Sequence, residues 1–396
     1  MRTLVVPLGV LALVVSYLLA ATPFYRRLER KYQVLSSPLP ALANQRGPWP
    51  LAPGPRAKAA IVMLARNSDV DDVIHTLRTF EPTFNGRYRY PYVFLNDKPW
   101  SLAFRARITA SLAKIRGAEP GALPPDVRFG LIPTEHWSYP PHVDQAKAKR
   151  CMQEMQRAGV PYAAKESYHH MCRFQSGFFF EHELLAEFDW YWRLEPDVDY
   201  FCPLHYDPFQ LLASRNASYG FNILVPEFMD TIPSLSATLK SYMSAHNIPA
   251  PPPTLQLMWD NQTDTYNGLH FWSNFEIASL RWLRSPEYAT FFEFLDQTGN
   301  FYYERWGDAP VHSVAAGMLL KPSELHYFED IGYRHGDRVH CPAVKEKKGV
   351  YGPCGCDLEE IRSRWVWWGK WAYKDRWRNE LERWRAWAAV WQKPEQ

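Results

Sequence analysis

Hydrophobic positions along the chain change period several times, and the changes outline alternating strands and helices. Ala59 to Ala65 is an apolar run of strand length, Val70 to Phe80 carries apolar residues at helical spacing, and Tyr92 to Asn96 is a second short apolar run. A β-α-β opening of this kind predicts a parallel sheet with right-handed crossovers. A helix from Ser101 to Arg116, a Gly/Pro loop, a short strand near Arg128 to Ile132 and a polar helix from Val143 to Gln156 continue the alternation. Trp190 to Leu194 then reads as a buried strand within an aromatic-rich stretch, and it stops at Glu195, Pro196 and Asp197. Pro233 and Ser234 open a helix that runs to about Ala245 and is closed by the Pro249 to Pro253 cluster. Ser285 and Pro286 start another, with Gly299 as its stop. There is no internal repeat and no linker, so a single α/β domain is expected.

Three flanking segments fall outside that alternation. Leu4 to Ala21 is an apolar run of roughly 18 residues, the lower limit for a membrane-spanning helix, and it reads as an uncleaved signal-anchor. Arg2 precedes it while Arg26, Arg27, Arg30 and Lys31 follow, so charge alone would leave the bulk of the protein cytoplasmic. From Leu35 to Arg56 six prolines stand among Ser, Ala, Asn and Gly without a period, which suits an extended stem. The expected organisation is an anchor at 1–25, a stem at 26–57, a catalytic domain at 58–360 and a Trp-rich tail at 361–396. Between Trp365 and Trp391 that tail carries eight of the chain's 17 tryptophans. Trp377, Leu381, Trp384, Ala388 and Trp391 recur on one helical face, predicting an amphipathic helix docked on the domain; a membrane-surface or partner-binding helix is the alternative.

Composition narrows the class. The net charge of +3 is small and no basic block of the needed length occurs in the globular part, so nucleic acid is not an expected partner. The six cysteines, Cys151, Cys172, Cys202, Cys341, Cys354 and Cys356, are an even set that could form three disulfides; buried free thiols are the alternative. Cys354-Gly355-Cys356 lacks the spacing of a zinc site. Asn216-Ala217-Ser218 and Asn261-Gln262-Thr263 are N-glycosylation acceptors, consistent with a secretory lumen.

The chemistry gathers at strand ends. In open α/β sheets ligands bind beyond the carboxyl ends of strands, so Glu195 and Asp197 sit where a metal or substrate would be held, unless they form a solvated turn. Arg66 and Asn67 end the first strand and are candidate nucleotide contacts by the same rule. Glu276, between Phe275 and Ile277, is either a buried paired group or a carboxylate tuned for chemistry. Arg173 could fork onto a phosphate or form a structural ion pair.

Six blocks carry a resemblance: YHHMCRFQSGFF from Tyr168, WYWRLEPDVDYFC from Trp190, EHWSYP from Glu135, SNFEIA from Ser273, FYYERWGDAPVHS from Phe301 and HYFEDIGYRH from His326. Taken in chain order, with EHWSYP first, and covering about Ala59 to Cys356, they resemble the fungal glycolipid 2-alpha-mannosyltransferase family. The resemblance implies a GT-A-like nucleotide-sugar transferase fold with a mixed, mostly parallel sheet, an N-terminal transmembrane anchor and a catalytic domain in the Golgi lumen. It implies GDP-mannose as donor, Mn2+ as cofactor, mannose-ended glycoproteins as acceptors and retention at the anomeric carbon. Residue by residue, Glu195 matches the metal-binding acid and His335 the metal-ligating histidine, while the Asp197 position is often uncharged in the family. Glu276 matches the carboxylate beside the anomeric carbon, Tyr168 a tyrosine lining the cleft, and Asp308 an acid that could orient mannose or the acceptor hydroxyl. His312 is expected to pack against the helix that follows it. Carboxylate and imidazole ligation with waters suits manganese, whereas a thiolate set would have suggested zinc. The rival reading is a catalytically degenerate scaffold protein, and intact Glu195, Glu276, Asp308 and His335 argue against it.

Overall fold

A computed structural model describes residues 54–118, 124–336, 338–342 and 382–392. The proposed anchor, most of the stem and the first part of the tail lie outside them. In chain order the strands are β1 (Ala59–Leu64), β2 (Tyr92–Asn96), β3 (Val127–Leu131), β4 (Trp190–Leu194), β5 (Val198–Tyr200), β6 (Tyr219–Phe221), β7 (Leu224–Pro226), β8 (Trp259–Asp260), β9 (Thr265–Tyr266), β10 (Leu269–Phe271), β11 (Glu276–Ser279), β12 (Leu325–Tyr327), β13 (Tyr333–His335) and β14 (Arg338–His340). The longer helices are α1 (Val70–Phe80), α2 (Leu102–Ile115), α3 (Gln145–Arg157), α4 (Glu166–Gly177), α5 (Pro208–Ser214), α6 (Leu235–Ala245), α7 (Pro286–Asp296) and α8 (Asp308–Leu319).

Seven strands form the main sheet in the order β12-β6-β11-β4-β1-β2-β3. The pairs β1–β2, β1–β4, β2–β3 and β6–β12 are parallel, whereas β11 runs antiparallel to both β4 and β6. The sheet is thus parallel apart from one reversed strand near its centre, the mixed α/β arrangement expected. Strand alternation divides the core into two layers. Ile61, Met63, Tyr92, Phe94, Trp192 and Ile277 face one layer with α1 and α2, while Ala60, Val62, Val93, Tyr191, Tyr219 and Ala278 face the other with α4, α7 and α8.

Local chemistry accounts for several boundaries. The Ser101 hydroxyl caps α2 by accepting from the Phe104 N–H, and Ser285 caps α7 by accepting from Tyr288, with Pro286 in its first turn. Gly299, past the end of α7, adopts φ +71°, a conformation in which a Cβ would be strained.

The described part of the tail is a helix over residues 382–391. Trp384 and Trp387 are buried in the core layer that contains α8, and Trp384 meets Phe221 edge-on with ring centroids 4.9 Å apart. The Trp387 indole donates to the Pro253 carbonyl at 2.9 Å, and the Gln392 amide donates to Pro322 and Leu325 carbonyls at 2.7 and 3.0 Å. Docking therefore occurs as expected, but the buried face is Trp384, Trp387 and part of Ala388; Trp391 is 41% exposed. Cys202 and Cys341 are disulfide-bonded, whereas Cys151 and Cys172 carry free thiols, so the cysteines do not close three bridges.

Candidate active site

The site grows from β4. In Trp190–Leu194 every residue but one is apolar, and the exception, Arg193, is buried. A buried guanidinium needs carboxylates around it. Arg193 donates from Nε to Glu195 Oε1 at 2.6 Å and from Nη1 to Asp308 Oδ2 at 2.5 Å. Ser273 also donates to that Asp308 oxygen, at 2.8 Å. One cation thus joins the acid just past β4 to the acid that opens α8. Burial works to raise the Asp308 carboxyl, but Arg193, His312 and Ser273 outweigh it and hold the group below its usual value.

Beside this group lies Glu276, on the reversed strand and directly opposite Arg193 in the β4–β11 register. Its residue is fully buried. The Tyr219 hydroxyl donates to Oε2 at 2.5 Å, and His312 Nδ1 lies 2.9 Å from Oε2 and 3.0 Å from Oε1. Burial pushes the Glu276 carboxyl up, with His312 pulling the other way. His312 stands four residues after Asp308, one turn along the same face of α8, so one helix presents both side chains to the sheet. Rather than merely packing against a helix, His312 holds the carboxylate on β11.

The turn carrying Glu195 is fastened from below. The Thr76 hydroxyl on α1 donates to the Glu195 carbonyl at 2.9 Å and accepts from the Val198 N–H at 3.1 Å. Asp197 adopts φ +58°, a left-handed conformation that costs a non-glycine residue energy, and its N–H donates to the Asp72 carbonyl at 3.2 Å. Its side chain is exposed. Beyond the turn, in the small three-stranded sheet, Val198 pairs with His335 across the β5–β13 ladder, so His335 stands opposite a residue three positions past Glu195. The His335 ring stacks on Trp272 at 5.5 Å, next to Ser273.

Tyr168 belongs to a neighbouring group. Arg305 donates to its hydroxyl at 3.1 Å and to Glu227 at 3.3 Å, and burial pushes the Tyr168 phenol well above its usual range. Asp308 lies close enough to add to that shift, so the Tyr168 and Arg193 groups adjoin.

Three further candidates from the sequence make contacts of their own. Arg173 makes a bidentate pair with Asp296, Nε to Oδ1 at 2.7 Å and Nη2 to Oδ2 at 2.8 Å, and its fork is occupied by protein, not held for phosphate. Arg66 stands exposed at the end of β1, where its N–H donates to Asp69 Oδ2 at 2.9 Å. Asn67 bridges two loops, donating to the Pro99 carbonyl and accepting from the Ser101 N–H. Among the described residues no group of three or more His, Cys, Asp or Glu is placed to hold a metal. What remains is a two-residue set. Glu195 is partly exposed, and among the described residues only its Oε1 accepts a hydrogen bond, so a carboxylate oxygen is left for a cation. With the His335 imidazole this donor set fits a hard divalent ion such as manganese whose other positions come from phosphate and water.

A profile described as glycolipid 2-alpha-mannosyltransferase matches residues 20–378. The chain belongs to the glycolipid 2-alpha-mannosyltransferase family. It is 41% identical over 318 residues to an O-glycoside alpha-1,2-mannosyltransferase of Schizosaccharomyces pombe, covering 80% of this chain and 77% of the relative. It is 42% identical over 309 residues to glycolipid 2-alpha-mannosyltransferase 1 of Candida albicans, covering 76% and 68%. Among solved structures it is similar to core-mannan synthase A of Aspergillus fumigatus in its Mn/GDP-form, with TM-score 0.69, 32% identity and coverage of 81% and 86%. The mannosyltransferase Ktr4p of S. cerevisiae in complex with GDP gives TM-score 0.67, 33% identity and coverage of 76% and 79%. Membership in the 2-alpha-mannosyltransferase family is matched by a fold shared with both solved structures over most of the chain.

Arg193, Tyr219, Ser273 and His312 organise this site, yet none stood out in the sequence as functional. One signal was available: an arginine in the middle of Trp-Tyr-Trp-Arg-Leu must find carboxylates once the strand is buried.

Proposed function

We propose that the protein is a manganese-dependent, retaining alpha-mannosyltransferase that moves mannose from GDP-mannose onto mannose ends of O-linked or N-linked glycans on glycoproteins, forming alpha-1,2 bonds. The observation that carries this reading is the Arg193 group: one buried cation shared by Glu195 and Asp308, with Glu276 alongside, at the ligand-binding end of the sheet. The family and the Mn/GDP-form of a similar structure support the donor and the metal.

Glu195 and His335 would hold the ion, which when bound neutralises charge on the leaving diphosphate. Asp308, fixed by Arg193 and Ser273, is placed to orient a sugar or acceptor hydroxyl. Glu276 supplies negative charge for the sugar ring as positive charge develops, either as a nucleophile or by same-face stabilisation. Tyr168, held by Arg305, lines the cleft. Asp197 and Arg66 stand on the loops after β4 and β1, where a nucleotide would approach. The N-terminal apolar run and the stem support a single-pass type II protein of the Golgi membrane with its catalytic domain lumenal; no helix among the described residues is long and apolar enough to cross a membrane.

The test is a fragment from about Lys58, incubated with GDP-mannose, manganese and methyl alpha-mannoside. Disaccharide formation that stops with chelator is the expected result, and the product gives the linkage. Binding of GDP with manganese but no transfer to any mannoside would favour a scaffold, and failure to bind GDP would sink the donor assignment.

A further inference from the structure

Both ring nitrogens of His312 face acceptors. Nε2 lies 3.0 Å from the Gln175 carbonyl oxygen, which can only accept, so Nε2 carries a proton. Nδ1 lies 2.9 and 3.0 Å from the two oxygens of Glu276. A neutral carboxyl would present its proton from one oxygen, along the Nδ1 lone pair. Near-equal distances to both oxygens fit an N–H shared between the two ends of a delocalised carboxylate. The Tyr219 hydroxyl donates to the same carboxylate, so two donors converge on Glu276.

From this geometry, and resting on the mannosyl-transfer reading above, we infer that His312 is a doubly protonated imidazolium that keeps Glu276 ionised and aimed, the positioning residue of the reacting carboxylate. A lone carboxylate buried this completely would take up a proton and lose its use as an anion. The imidazolium prevents that without occupying the cleft, because it is itself fully covered.

The groups that face His312 are consistent. Asp308, on its own helix, favours the charged ring and Arg193 on β4 opposes it. Tyr219 on β6 and Tyr288 on α7 have phenols that burial pushes far up, so they stay neutral. Phe179 and Tyr288 wall the ring at 6.4 Å. Burial lowers the His312 pKa, but Glu276 and Asp308 together outweigh it and the net shift is upward. The pair is therefore charged in a window bounded below by the raised Glu276 and above by the raised His312. Loss of the His312 proton sets the alkaline limb of kcat.

The experiment compares wild type with His312→Gln, which keeps polarity without a titrating charge. The expected result is a kcat lower by on the order of 10²-fold, as for a misplaced reacting group. GDP-mannose KM and calorimetric GDP affinity should stay near wild type, and the alkaline limb should disappear. A kcat within about threefold of wild type, or an unchanged alkaline limb, overturns the inference. Should His312→Gln fail to melt cooperatively or to bind GDP, 15N-histidine NMR of wild type and Glu276→Gln decides instead. An imidazolium signal persisting near pH 8 and lost in Glu276→Gln supports the assignment; no such signal overturns it. A wild type that binds GDP but transfers no mannose sinks the reaction reading instead, and the NMR arm still shows whether the imidazolium exists.

Discussion

Two of the buried arginines, Arg116 and Arg193, serve opposite purposes. Arg116 donates to both oxygens of Glu81, at 2.7 and 3.0 Å, and the Tyr92 hydroxyl caps the same carboxylate at 2.6 Å. The pair is one-to-one, neutral and sealed, with side-chain exposures of 7% and 0%. Arg193 divides its charge between Glu195 and Asp308, and the Glu195 side chain keeps 17% exposure. A balanced, closed ion pair has no unmet demand, so it ties elements together. An arginine shared by two acids leaves negative charge unmatched, and where that excess reaches solvent a cation is attracted.

That contrast can be broken by substitution. Glu195→Ala should lower mannosyl transfer by at least ~10³-fold, the scale of losing a main electrostatic group, while the protein still melts cooperatively. Arg116→Met should do the opposite: it strands Glu81 and costs about 3–5 kcal/mol in denaturant unfolding, yet leaves kcat per folded molecule unchanged. If Arg116→Met depressed kcat as Glu195→Ala does, the division between sealed and open pairs would be wrong. Trp384→Ala should destabilise by about 3 kcal/mol through the cavity it leaves, again with kcat intact.

Smaller effects sharpen the picture. His75 donates to Asp199 at 2.9 Å, and that hydrogen bond, against burial, raises its pKa above the usual value. A group raised on folding contributes stability that is fully present below its unfolded pKa and is lost as pH rises through the folded one. Wild-type melting temperature should therefore fall, from about pH 6.5 upward, more than that of His75→Gln. Trp391→Ala, at an exposed position, should change stability by no more than ~0.5 kcal/mol.

Much of this was legible in the sequence because it depended on local patterns. Val70–Phe80 and Tyr92–Asn96 fall where periodicity placed them, and Ser101 and Ser285 cap as their residue types require. Glu195 was visible because it ends an apolar run. The reversed strand β11 was not visible, since four residues cannot declare a direction; only pairing between β4 and β6 fixes it. The role of His312 was hidden for a similar reason: its partner lies 36 residues away on that strand. Arg173 stayed open between two readings because a guanidinium beside aromatics reads alike whether it meets phosphate or, as here, the structural partner Asp296. In the tail, the buried face shifts toward Trp387 because Phe221, Tyr327 and the Pro253 carbonyl decide which tryptophans go under.

β12 is the last strand on its side of the main sheet, and such a margin offers unpaired backbone groups to any extended chain that meets it. The Gln392 amide takes the Leu325 carbonyl, and Trp384 lies against Tyr327 two residues on, so the C-terminal helix covers that margin with side chains. Removing residues 382–392 would take these contacts from the edge and make it more open to β-augmentation by a second copy. The helix over residues 382–391 thus serves as a cap on an edge strand, a service that assays of turnover would not register.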